Sequence, residues 1–198
     1  MGLFVSGNLG GAAMQWHFRF GYTVAGLLFF RLIWGFVGGH WSRFSSFFFG
    51  PRRIVAYLRG RGDPVWTVGH NPLGSLSVFA MLAVLAAQVG SGLMSDDEIA
   101  WHGPLTQWVG ATWIESATAY HKHIGKPLII GLVVLHLLAI AYHQTVKRER
   151  LVRAMLTGDK HVALDAPASA DGLRARLLGL ILLTLCVAVA VGTLASLE

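Results

Sequence analysis

Nine histidines and a single cysteine, Cys186, stand in this chain of 198 residues. Four of the histidines, His121, His123, His136 and His143, fall in "YHKHIGKPLIIGLVVLHLLAIAYH", a stretch otherwise apolar enough to cross a bilayer. An ionisable ring inside a membrane span is costly and is therefore a functional candidate. Neutral imidazole suits transition metals and haem iron. Zinc would ask for clustered ligands with cysteine or carboxylate help, and nothing of that kind surrounds His136. Two short motifs point elsewhere: "HFRFG" at 17–21 and "HKHIG" at 121–125. Each puts a glycine, Gly21 or Gly125, four residues after a histidine. On a helix that is the same face one turn on, where a missing side chain lets a flat macrocycle approach the backbone. Axial histidines on facing helices are how a bundle holds b-type haem, and His17 with His121 forms the expected pair.

His136 follows His121 by fifteen residues, about 22 Å of helix rise and about 60° of rotation, so two stacked haems could share one face. His123 to His136 rotates about 220°, which favours His121 over His123 on a straight helix. Pro127 qualifies this, since a proline that opened the helix there would leave both residues in a loop. His143 reads as an interfacial histidine and only in reserve as a ligand. Arg31 lies in a span with no acid in any span to pair with, so it either snorkels to headgroups or meets haem propionates. Arg52 and Arg53 have the same two options, with lipid phosphate as the alternative partner. His40, His70, His102 and His161 are expected to be loop residues without a ligand role.

The elements that must position these groups are membrane helices. Hydrophobic residues make up 54% of the chain and charged residues 13%, and the mean hydropathy is +0.56. That is too apolar for a soluble domain of this size. Spans are predicted at about 20–38, 73–94, 127–146 and 177–197, each near the length that crosses a bilayer core. Lipid offers the backbone no partners, so these are helices, and the fold class is an all-α integral membrane protein, a four-helix haem-binding bundle. One cysteine excludes a disulfide framework and cysteine-based metal sites. The net charge of +6 has no base-reading basic helix behind it and reports topology, not nucleic acid. Arg43, Arg52, Arg53, Arg59 and Arg61 lie between the first two spans, and Lys147, Arg148, Arg150, Arg153 and Lys160 between the last two; both loops are expected in the cytoplasm. Asp96, Asp97, Glu98 and Glu115 gather in the loop between the second and third spans, which is expected outside. The amino terminus is then external with no signal to deliver it, which predicts a further helix upstream.

Four separated stretches, "WHFRFGYTVAGLLFFRLIWGFVGGHWSRFSSFFFGP", "GHNPLGSLSV", "GLMSDDEIAWHGPLTQWV" and "ERLVRAMLTGDK", resemble the prokaryotic cytochrome b561 family, above all its nickel–iron-hydrogenase b-type cytochrome branch. The resemblance covers about residues 3–160. It implies a multi-pass inner-membrane dihaem cytochrome, an electron-transfer subunit linking the quinone pool to a hydrogenase, a c-type cytochrome or another dehydrogenase. It also implies His17, one of His121 or His123, and His136 as axial ligands. The first family helix with its His-Trp motif has no counterpart here, so one haem b is expected in this chain and two if an upstream helix is restored. A domain at 1–160 is followed by a linker and an additional helix at 161–198 for which the family gives no role.

Two other classes of function remain in view, a haem-free membrane anchor for an oxidoreductase and, less favoured without intramembrane acids, a metal-ion transporter. No nucleophile–base pair or phosphate-binding loop suggests other catalysis, and "GRGDP" is a turn. The charge pattern gives a direct prediction. With Cys186 replaced by Ala, a cysteine at Ser45 should resist a membrane-impermeant maleimide added to intact cells while one at Thr106 should react; the reverse pattern would invert the topology.

Overall fold

The computed structural model describes residues 1–149, 151–158, 166–169 and 172–197. Arg150, Lys160 and His161, named above for charge or as a loop residue, lie outside them. The chain is helical: α1 (Gly2–Leu9), α2 (Met14–Val37), α3 (Phe44–Phe47), α4 (Pro51–Leu58), α5 (Pro72–Leu93), α6 (Ala111–Ala119), α7 (Lys126–Thr145), α8 (Leu151–Thr157) and α9 (Leu173–Ala195). Among the described residues there is no strand, only an isolated bridge between Asp96 and His102. Four helical runs are long and apolar enough to span a membrane: Gly11–Val37, Pro72–Leu93, Ala111–Thr145 and Leu173–Ala195. The chain is thus an all-α membrane bundle.

Local chemistry sets the helix starts. Asn71 caps α5 by accepting a hydrogen bond from the Gly74 N–H at 2.7 Å, and Pro72 fills the first position, where no N–H is needed. Pro51 opens α4 in the same way. Gly10 and Gly11 take positive φ angles of 64° and 52°, conformations that cost glycine little, and the turn folds α1 back against α2. A Cβ on Gly2 would meet the Phe20 ring at 2.7 Å. Across the bundle, Lys126 Nζ donates to Asn8 Oδ1 at 2.8 Å and lies 4.8 Å from the centre of the Phe4 ring, tying α1 to the start of α7.

The third run is longer than its apolar core. It begins at Ala111 and passes through a π-helical segment, Tyr120–Gly125, directly into α7. Pro127 therefore does not open a helix, and His121 and His123 are helical. A proline lacks the N–H that His123 O would accept in an α-helix, and its ring presses on that carbonyl; a turn widened to i→i+5 spacing relieves the clash. Between α5 and α6 the acidic loop is an ordered cap. The Asp97 carboxylate accepts from the N–H groups of Ile99, Ala100 and Trp101 at 2.9–3.0 Å, and these bonds hold it below the usual aspartate range. Thr118 Oγ1 accepts from Asp96 N at 3.0 Å, and Gly103 N donates to Ser95 O at 2.7 Å. Trp101 rests against Phe18 of α2, ring centres 5.8 Å apart.

The tightest crossing joins α2 and α9. A Cβ on Gly26 would fall 2.6 Å from Val187 Cα and 2.9 Å from Cys186 O, so only glycine allows these backbones to meet, as small residues do in membrane bundles. Gly26→Leu should separate the two helices at a cost of about 1–3 kcal/mol or more. The expected result is a lower unfolding midpoint in detergent micelles by scanning fluorimetry; an unchanged midpoint would show that the crossing does not support the fold.

Candidate haem site

His17, in the first turn of α2, and His121, in the π segment, come together at the end of the bundle capped by the acidic loop. Their ring centres are 6.0 Å apart and the planes cross at 86°. Each ring is anchored through Nδ1 to a main-chain carbonyl, His17 to Leu3 O at 2.9 Å and His121 to Gln88 O at 2.9 Å. A carbonyl only accepts, so Nδ1 carries the proton in both rings and Nε2 keeps its lone pair. This is the arrangement that carbonyl partners impose on metal-bound imidazoles. Ser91 Oγ lies 3.5 Å from the same His121 Nδ1.

Glycines that the motifs did not single out make the seats. A Cβ on Gly7 would lie 2.9 Å from His17 Nδ1, and one on Gly92 2.7 Å from His121 Cε1. Each follows a buried serine, Ser6 or Ser91. The repeated Ser-Gly beside apolar residues, in "FVSGNLG" and "QVGSGLM", was the available signal, because small residues in membrane helices mark close packing. The two expected glycines have different surroundings. No atom lies within 4 Å of a Cβ position on Gly21, so a planar group has room there. At Gly125 the corresponding space holds Gln88 Oε1 and the Tyr120 ring, so that glycine serves helix contact. His123 is exposed while His121 is half-buried, and across the π segment the straight-helix angles from His136 no longer apply.

The other end of the bundle holds a second cluster. The Arg31 guanidinium lies over the faces of Phe44 at 4.8 Å and Phe47 at 5.9 Å, and its Nη1 reaches Ser42 O at 3.4 Å. The aromatic faces hold it by cation–π attraction. The His70 ring packs on the other neighbour of that stack, 4.7 Å from the fully buried Phe47. Part of His70 stays accessible to solvent, yet burial, then the charge of Arg31, then that of His136, lower its pKa from the ordinary value. His70 is a loop residue, as expected, and faces the charges of Arg31 and His136. Its place just before a capping Asn-Pro gave no sign of those neighbours. No hydrogen bond to the His136 ring is present among the described residues, and His136 is half-buried.

The remaining candidates stand apart. His143 Nδ1 pairs with Glu149 Oε2 at 3.3 Å. Arg53 lies over the Trp66 ring at 5.8 Å, and Arg52 lines a hollow of about 410 Å³ with Arg59 and Arg61. His40 packs edge-on to Trp41, and His102 sits in the acidic loop. No group of three or more His, Cys, Asp or Glu side chains able to hold a bare metal ion occurs among the described residues.

A model of the prokaryotic cytochrome b561 family matches residues 1–158. The chain belongs to that family. Helix α9 lies beyond the matched residues. Among relatives, a protein of Bradyrhizobium diazoefficiens named probable Ni/Fe-hydrogenase B-type cytochrome subunit is 27% identical over 161 residues, 73% of this chain and 64% of that protein. A protein of the same name from Rhizobium leguminosarum bv. viciae is 28% identical over 159 residues, 73% of this chain and 66% of its own length. A third, from Azotobacter chroococcum, is 27% identical over 168 residues, 76% and 69% of the two chains. The chain thus spans somewhat less than two thirds of the first two relatives. No solved structure matches it significantly.

The lowered pKa of His70 carries a pH signature. The unfolded chain protonates this ring near pH 6.5 while the native state resists, so native stability falls as pH drops below that value and is unaffected above it. In detergent, the unfolding midpoint of wild type minus that of His70→Phe should fall between pH 7.5 and 5.5. A difference independent of pH would remove His70 from the linkage.

Proposed function

We propose that this protein is a membrane b-type cytochrome relaying electrons between the quinone pool and a hydrogenase-type redox partner, with haem b between His17 and His121. One observation carries the reading: two imidazoles from different helices, each with Nδ1 fixed to a carbonyl and Nε2 left as donor, at a ring separation of 6.0 Å. A metal bound by one nitrogen of each ring at the about 2 Å usual for metal–imidazole bonds would hold the ring centres roughly 6 Å apart. The donor set also fits, since an iron in a macrocycle needs only these two protein ligands, whereas a bare ion needs the larger cluster that is missing among the described residues. Haem b bound there would supply one-electron transfer through its iron.

The chain's own part is preorganisation. The Leu3 and Gln88 carbonyls hold the tautomer and aim of each ring before any ligand arrives. The acidic-loop cap, with Trp101 on Phe18, limits water at that end, and exclusion of solvent is one lever on a redox centre. At the other end, His136 would serve a second haem, with Arg31 facing its propionates, only where a further axial ligand is brought to His136. The hydrogenase partner is favoured by the names of the relatives, and the inner membrane by the four spans and this partnership. The haem-free anchor and the transporter would leave the anchored pair of rings without a task, and absorption spectra separate them, because neither gives a Soret band.

The purified chain should show the spectrum of low-spin, bis-histidine haem b. His17→Ala or His121→Ala should each abolish it, while His123→Ala leaves it intact; unchanged haem content in the first two variants would refute the assignment. Pyridine haemochrome analysis is expected to find one haem per 198-residue chain. A second low-spin haem would be assigned to His136, and its loss in His70→Ala would identify the cluster's other imidazole as its partner.

A further inference from the structure

Gln88 is a polar side chain in the interior of a membrane helix, and it is bound to His121 twice. Its main-chain carbonyl accepts from His121 Nδ1 at 2.9 Å, and its side-chain Nε2 donates to His121 O at 3.1 Å. The second bond lands on a carbonyl inside the π segment Tyr120–Gly125. A widened turn has a distorted internal hydrogen-bond pattern, and a donor from the neighbouring helix stabilises it. The amide orientation is determined by this partner, since exchanging its oxygen and nitrogen would set two acceptors against each other.

The amide is also wedged. Its Oε1 is buried with no hydrogen-bond partner and occupies the space a side chain at Gly125 would need, beside the Tyr120 ring. An unmet buried acceptor is unfavourable, so leucine or methionine would serve packing better at this position. What the glutamine provides instead is a clamp on the backbone of His121, through the bond to His121 O. The absence of a side chain at Gly92 makes room for the ring, since a Cβ there would lie 2.7 Å from His121 Cε1.

We infer that Gln88 is a positioning residue for the axial ligand His121, acting through the π segment to set the strength of the Nδ1 hydrogen bond and so the electron donation of Nε2. This rests on the haem reading above. A firmly held Nδ1–H bond makes the imidazole a more basic ligand, which favours ferric over ferrous iron. Releasing the clamp weakens the bond, and the reduction potential rises.

The test uses the haem-loaded, full 198-residue chain, with Gln88→Met, which conserves volume and lacks the donor, and Gly125→Ala, whose methyl pushes Oε1 aside while the glutamine itself is kept. Redox titration with optical detection should give a more positive midpoint potential in both variants. Low-temperature electron paramagnetic resonance should show a shifted largest g value, with haem per chain equal to wild type. In the double variant the two shifts should not add. A wild-type potential and g value in both single variants would overturn the positioning role and leave the haem assignment standing; absence of haem from wild type would overturn the haem assignment itself. Should Gln88→Met fail to fold, Gly125→Ala alone decides in the same way.

Discussion

Imidazole has two nitrogens, and inside a bilayer neither can turn to water. The site depends on how that requirement is met. A main-chain carbonyl satisfies Nδ1 of His17 and of His121, which leaves Nε2 as the one group still needing a partner. Carbonyls free to accept from a side chain are scarce in a helix, since most are committed to the i+4 amide. Leu3 O and Gln88 O lie inside their helices and serve as shared acceptors, each also taking a serine hydroxyl, Ser6 Oγ at 3.4 Å and Ser91 Oγ at 3.1 Å. Gln88 lies one turn from the end of α5, next to the Ser-Gly step where His121 packs. The short α1, the double glycine turn and the small residues at positions 6, 7, 91 and 92 can all be understood as consequences of satisfying two ring nitrogens in an apolar setting.

Much of the bundle was legible in the sequence, because its strongest signals are ones the membrane enforces. Runs of about twenty apolar residues can be only helices there, and the second and fourth helical runs lie within a few residues of prediction, whereas the first and third begin earlier, at Gly11 and Ala111. The approach of His17 to His121 followed from matched motifs at matched depth. What could not be read was any feature produced by contact between distant segments. His70 is a loop histidine in sequence and fold alike, and only the fold shows Phe47 and Arg31 as its neighbours. Gln88 has no motif at all, since its role exists only where α5 meets the π segment. The expected glycine pair illustrates both cases: Gly21 has open space above it, whereas the space over Gly125 is filled from another helix.

Helix α9 is the part that the family resemblance left without a role, and the fold gives it a structural one. It lies against α2, with Val187 and Cys186 at Gly26 and Gly179 under the Trp34 ring. The helix that bears His17 and Arg31 is thus supported by α9 along its middle and inner part. Rigidity in α2 matters at both its ends, since it carries His17 at one and Arg31 at the other.

The widened turn at Tyr120–Gly125 also bears on how such proteins are compared. A π turn takes up one residue more than an α turn, so it behaves as an insertion absorbed on the spot, with the helix on either side keeping its own phase. Distance along the chain between His121 and His136 is therefore an elastic measure. Two proteins could present the same two rings at the same depths and angles with different numbers of intervening residues, one with the extra residue coiled into such a turn and one without. A search that fixes the interval would separate these proteins, and one that follows burial of the rings would join them.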